Sequence, residues 1–168
     1  MKYIAFLRGI GPGDPRKSNE SLRSVFEKMG FENVRSFISS GNILFESSET
    51  DTAKLEKQIE EGFEKHLGIS IGTFVRSKEE LDAFIATKPF GEMKHSRQTY
   101  LTVTFFKKGA KVGKSKDYTY DKKLHAVCAV TNMTLEASPD FMIRLEKAFG
   151  KNITTRTYNT LERITSKL

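Results

Sequence analysis

Apolar positions along this chain follow two periods, one for strands and one for helices. Residues 3–7 form a short, almost wholly apolar run, which predicts a strand covered on both faces. Leu22, Val25, Phe26 and Met29 then fall at i, i+3, i+4 and i+7. That is one face of a helix, opened by Ser18 or Asn19 and ended by Gly30. Residues 34–38 and 42–46 flank Ser39-Ser40-Gly41 and predict a hairpin. Leu55, Ile59, Phe63 and Leu67 mark a second helix, beginning at Asp51 or Thr52 and ending at Gly68. Residues 69–75 give a fourth strand. The order is β-α-β-β-α-β, the ferredoxin-like pattern, with both helices on one face of an antiparallel sheet.

A short helix over Lys78–Ala86 comes next, with a connector over 87–98 and a strand over 99–106. Three blocks then echo the first half in the same order. Tyr3 to Gly9 is echoed by Tyr100 to Gly109, Gly41 to Ser48 by Thr131 to Ser138, and Phe63 to Gly68 by Leu145 to Gly150. Their shared order predicts an internal duplication. The second copy is degenerate, because residues 109–123 lack helical period where an amphipathic helix is due. A hairpin over 124–130 and 133–137, a helix over 140–149, Ile153 and a last helix capped by Thr154 or Thr155 complete it. The expected class is α+β, with two ferredoxin-like (βαββαβ) halves over 1–76 and 77–168.

Composition narrows the setting. Of 168 residues, 38% are hydrophobic and 29% charged, the balance of a globular chain rather than a disordered one. Thirteen Phe and no Trp predict a core of benzyl side chains. No apolar run approaches the ~18 residues of a membrane helix, and the start resembles a strand, not a signal peptide. The single Cys128 excludes an internal disulfide and a thiolate cage, and points to a reducing, cytoplasmic location.

Charge is unevenly placed. Ten Lys/Arg against three acids lie between 88 and 123, which accounts for the whole net charge of +7. Such a segment either attracts a polyanion or simply solvates a loop.

The motifs LRGIGPG, SSGNILFES, LEKAFG and TTRTYNT together resemble the family known as domain of unknown function 1697. Its members typically show LRGINVGG, an I-Q-S-G-N-V hairpin, a Pro-Phe after the third helix and a terminal T-T-R-N-W-N-T. The resemblance runs over essentially the whole chain and implies a compact α/β protein with two ferredoxin-like halves. It implies no activity. Its motifs mark Arg8, Gly9, Ser40, Gly41, Asn42, Thr155, Arg156, Asn159 and Thr160. Departures are Pro12 for Val, Ser39 for Gln, and Arg156-Thr157-Tyr158 for Arg-Asn-Trp.

Candidate chemistry centres on anions. Arg8 with Gly9, Gly11 and Gly13 forms a possible anion nest, or else a loop whose glycines only permit a tight path. Its GxGxG spacing is not the dinucleotide fingerprint. Thr154-Thr155-Arg156, placed at a helix start, offers free amides, hydroxyls and a guanidinium. Ser39 to Asn42 reads as a turn, expected at the sheet end opposite Arg8. Gly109 to Ser115 misses the Walker A spacing by one residue. His66, His95 and His125 share no ligand spacing, which predicts no metal site. Resemblance to RNA-recognition sheets stops at topology, because Gly41-Asn42-Ile43 stands where a stacking aromatic belongs.

The leading expectation is a non-catalytic binding protein for a phosphate-bearing or other anionic ligand, nucleic acid being one source. Its contacts would be Arg8, Gly9, Gly11, Ser40, Asn42, Thr155, Arg156 and Asn159, with Lys107, Lys108, Lys111, Lys114 and Lys116 steering the ligand in. No cofactor and no membrane partner are expected. A metal-independent enzyme on a small anionic metabolite and a homo-oligomeric interaction protein are the alternatives, the chain being a monomer or a homodimer.

Overall fold

The computed structural model describes residues 1–38, 41–135 and 138–168, with the backbone alone at 138, 139, 141 and 142. It is α+β, and the described residues form two four-stranded antiparallel sheets and five α-helices. The chain divides into two compact units, Met1–Lys78 with Leu168 and Glu79–Lys167. None of these helices is long and apolar enough to cross a membrane.

The first unit contains β1 (Lys2–Leu7), α1 (Asn19–Lys28), β2 (Glu32–Ser36), β3 (Asn42–Glu46), α2 (Thr52–Leu67) and β4 (Thr73–Ser77). Its sheet order is β2-β3-β1-β4. Local chemistry sets the helix ends. The Ser18 hydroxyl accepts from the Ser21 amide, and the Asp51 carboxylate from the Ala53 amide. Gly68 closes α2 in the left-handed region at φ 64°. Tyr3, Ala5, Leu7, Ile43, Phe45 and Val75 face the two helices and pack against Phe26, Ile59 and Phe63. The alternate residues Ile4, Phe6, Leu44 and Phe74 are buried too, as the unbroken apolar run of β1 requires.

The edge strand β4 is closed by α2. Glu56 Oε1 accepts from the Val75 amide at 2.9 Å, and Glu60 Oε1 from the Thr73 amide at 2.8 Å. Two carboxylates one helical turn apart thus meet two outward amides one strand repeat apart, so no second strand can add there. Glu56 also meets the buried Arg76 at 3.3 Å.

One expectation about this unit is reversed. Because α1 returns the chain, β2 runs parallel to β1, since both are antiparallel to β3. The β2–β3 turn therefore lies at the same end as Arg8, not the opposite one. Asn42 pairs with Phe6, and the Leu7 amide donates to Gly41 O at 2.7 Å.

The second unit holds α3 (Lys78–Ala86), whose first residue falls in the first unit, then β5 (Tyr100–Phe106), β6 (Tyr118–Asp121) and β7 (Ala126–Thr131). It ends with α4 (Ser138–Phe149), β8 (Ile153–Thr157) and α5 (Tyr158–Thr165). Its sheet order is β6-β7-β5-β8. In this arrangement β5, β6, β7 and β8 hold the places of β1, β2, β3 and β4. The registers correspond: Ile4 pairs with Leu44 and Arg76, and Val103 with Cys128 and Arg156.

The hairpin of this unit differs from expectation. It joins β6 to β7, whereas Met133, Thr134 and Leu135 form a turn, and residues 136 and 137 lie outside the described residues. Asn132 Oδ1 accepts from the Thr134 amide at 3.0 Å and from its hydroxyl at 2.6 Å, which ends the extended run. The final helix also starts later. The β-branched Ile153-Thr-Thr-Arg-Thr157 pairs with β5 as a strand, and the α5 N-cap is Thr157, whose hydroxyl accepts from the Thr160 amide. Helices lie on both faces here, not one. Val127 packs with α4, so Cys128 faces away, toward the side where Tyr158 meets Phe84 and Phe90 with centroids 6.3 and 5.0 Å apart.

Candidate functional site

The most distinctive concavity follows from what the second unit lacks. In the first unit, α1 lies on the sheet beside α2. Its Phe26 ring sits 5.3 Å from Phe45 on β3 and 6.0 Å from Phe63 on α2. In the second unit residues 107–117 are irregular, and no helix separates β5 from β6. A cavity of about 700 Å³ is lined by α4, by the β6–β7 hairpin and by Pro89, Phe90 and Met93 after α3.

Register identifies what lines it. Ala129 holds the place of Phe45, since each pairs with the residue one before Val103 or Ile4 on the central strand. Leu145 holds the place of Phe63, counted from the helix ends at Gly150 and Gly68, whose amides donate to Glu146 O and Glu64 O. Both residues line the cavity. The same count sets Arg144 where α2 has Gly62. A Cβ at Gly62 would run into the Met29 sulfur at the end of α1, so the Met29 side chain would have to shift for a larger residue to stand there. Arg144 lines the cavity in its absence.

The remaining walls combine charge with aromatic surface. Lys116 stands on the 107–117 segment, and Tyr118 and Phe149 pack edge-on at 5.1 Å. The Tyr118 hydroxyl donates to Gly113 O and so ties that segment to β6. Asp117 is the one acid among the described lining residues. Cys128, on the other face of β7, also lines the cavity, and burial first and the Asp121 charge second push its thiol up to about 12. The apolar rim includes Met93, Val130 and Leu135, exposed by 49%, 44% and 85%. Two cations over an apolar, ring-lined floor suit an anion that carries an apolar body.

The residues singled out from the sequence distribute differently. Arg8, Gly9, Gly11 and Asn42 belong to the first unit, and Ser40 lies outside the described residues. The Arg8 amide donates to Gly72 O at 2.8 Å, and Gly9 O accepts from Lys17 Nζ at 2.9 Å. Gly9 takes a φ of 67°, whereas Gly11 is not in the left-handed region. Asp14 in the same loop is held below the usual carboxylate range by its hydrogen bonds from Arg16. Asn42 is buried and donates to Phe37 O at 3.3 Å, locking the β2–β3 turn.

Thr155, Arg156 and Asn159 belong to the second unit, as do Lys107, Lys108, Lys111, Lys114 and Lys116. The expected helix N-terminus at Thr154–Arg156 is strand β8, so its amides are not those of a helix start. The Arg156 guanidinium donates to Thr154 Oγ1 and Thr155 O, both at 2.9 Å, and burial lowers its pKa to about 10. Thr155 shares a 2.8 Å hydroxyl contact with Thr104, and Asn159 is exposed on the first turn of α5. Lys108, Lys111, Lys114 and Lys116 are exposed.

A family model, "Protein of unknown function (DUF1697)", matches residues 1–135, four-fifths of the chain. The chain belongs to that family. The match to DUF1697 ends before α4, so Arg144 and Phe149 lie beyond it. No curated protein matches the chain. A solved structure, "The structure of conserved bacterial protein SP0830 from Streptococcus pneumoniae", resembles this DUF1697 protein with a TM-score of 0.77 at 22% identity. The likeness covers 99% of this chain and 97% of that one, and it speaks to the fold.

Arg144, Phe149 and the Glu56–Arg76 pair went unread in the sequence. The signal for Arg144 was present: the block that pairs Phe63 with Leu145 pairs Gly62 with Arg144 one step earlier.

Proposed function

We propose that this chain is a non-catalytic binding protein for a phosphate-bearing or other anionic ligand, held in the groove of the second unit. In this reading residues 1–76 and 77–168 are diverged copies of one ferredoxin-like fold, and the second copy has turned a lost helix into a site. The observation that carries the reading is Arg144 together with Lys116 on the walls of a cavity of about 700 Å³. Pockets of roughly 300–1,000 Å³ with a few convergent polar groups are the usual form of a ligand site. The exposed lysines at 108, 111 and 114, on the segment that leads to Lys116, add an attractive field.

Titration with phenyl phosphate, followed by amide chemical shifts, tests this. Saturable shifts at Tyr118, Ala129 and Leu145, weakened about tenfold by Arg144→Ala, are the expected result. Equal affinity in Arg144→Ala would overturn the site.

A further inference from the structure

Resting on the reading of this groove as an anion-binding site, the geometry points to its natural ligand: we propose an amphipathic helix with acidic flanks, presented by a partner protein. It would lie where α1 lies in the first unit.

Three observations carry this. First, the groove has the walls of a helix slot. Ala129 and Leu145, which hold the places of the Phe45 and Phe63 rings around Phe26, both line it, Leu145 as a buried residue with Val112 of the 107–117 segment packed on the same cluster. The first unit shows what such a slot takes: a ten-residue helix presenting Leu22, Val25 and Phe26. Replacing two phenyl rings by a methyl and an isobutyl group leaves room for large residues from the incoming helix.

Second, among the described residues the apolar lining stays partly exposed. Met93 and Leu135 stand exposed at the groove, although each could have been polar at no cost to the core. Apolar anchors at i, i+3, i+4 and i+7 of a docked helix would cover them.

Third, the charge selects the partner. Arg144 and Lys116 line the groove, and Lys108, Lys111 and Lys114 stand exposed on the segment that replaces α1. Carboxylates flanking the apolar stripe of the partner helix would meet them. The chain's own α1 carries Glu20 and Glu27 against Arg23 and Lys28, so exchange of α1 between copies would bring no net negative charge.

The test uses the full chain and two labelled peptides of about fourteen residues, some four helical turns, read by fluorescence anisotropy. One carries Leu and Phe at i, i+3, i+4 and i+7 with Glu beside them. The other has the same composition permuted to break that spacing. The patterned peptide is expected to bind at least about tenfold tighter than the permuted one. Arg144→Glu is expected to weaken it by a similar factor with the thermal midpoint unchanged. Ala129→Phe, which fills the slot from its floor, is expected to block it as well.

Equal binding of the two peptides would overturn the helix while leaving the anion reading in place. So would binding of phenyl phosphate without either peptide. Binding of none of the three would overturn both.

Discussion

The Leu7 amide donates to Gly41 O at 2.7 Å, bringing the β2–β3 turn against the end of β1. The second unit repeats the contact, from the Phe106 amide to His125 O at 2.9 Å. Gly41 and His125 both adopt positive φ, 80° and 49°. The approach is tightest at Gly41, where a Cβ would lie 2.8 Å from Ile10 Cγ1 and 3.0 Å from Leu7 O. Gly41→Ala is therefore expected to destabilise by roughly 2–3 kcal/mol, combining backbone strain with the clash. His125→Gly is expected to stay within about 1 kcal/mol of the parent, because relief of strain offsets the entropy of the unfolded chain. Urea denaturation of both variants checks the pair.

The Glu56–Arg76 contact is buried on both sides, with side chains 6% and 1% exposed. Glu56→Ala leaves a buried guanidinium short of a carboxylate and the Val75 amide short of its acceptor. A loss of about 3–5 kcal/mol is expected. The double variant Glu56→Ala, Arg76→Met should lose clearly less than the sum of the single losses. Additive losses in a double-mutant cycle would contradict the coupling.

Gly62 and Arg144 hold corresponding positions on α2 and α4 but face a present helix and an absent one. Gly62→Arg must displace the Met29 side chain where α1 packs on α2, and is expected to cost about 1–3 kcal/mol by overpacking. Arg144→Ala should change stability by less than about 1 kcal/mol, because its side chain is exposed at the cavity wall. Thermal unfolding of the two variants side by side measures the contrast.

Cys128 gives a pH signature. Its thiol has an ordinary value of 9.0 and is pushed up to about 12, first by burial. Below pH 9 it is protonated in both states and the stability it contributes is intact. Above pH 9 the unfolded chain ionises while the native one does not, so stability falls by about 1.4 kcal/mol per pH unit. Denaturation of the parent and Cys128→Ala between pH 8 and 10.5 should show this extra slope in the parent alone.

Helical and strand periods made most elements legible. Lys78–Ala86 and Asn42–Glu46 are found at their expected bounds, because period, caps and glycine stops agree there. Boundaries drifted where residues suit two states: Ile153–Thr157 reads as a cap from its threonines but pairs as a strand from its β-branching. The strand expected from 133 is a turn over 133–135 because Asn132 satisfies the backbone locally, a choice that alternation does not reveal.

From the residues alone came the α+β class, the β-α-β-β-α-β order of the first unit and the missing helical period after Phe106. All three are local, carried by side-chain spacing within one element. Folding alone decided that the turn at Gly41 lies beside Leu7, that Glu56 and Glu60 close the edge of β4, and that the missing helix leaves a groove walled by Ala129, Leu145 and Arg144. Those relations join residues far apart in the chain, and only strand direction and register bring them together.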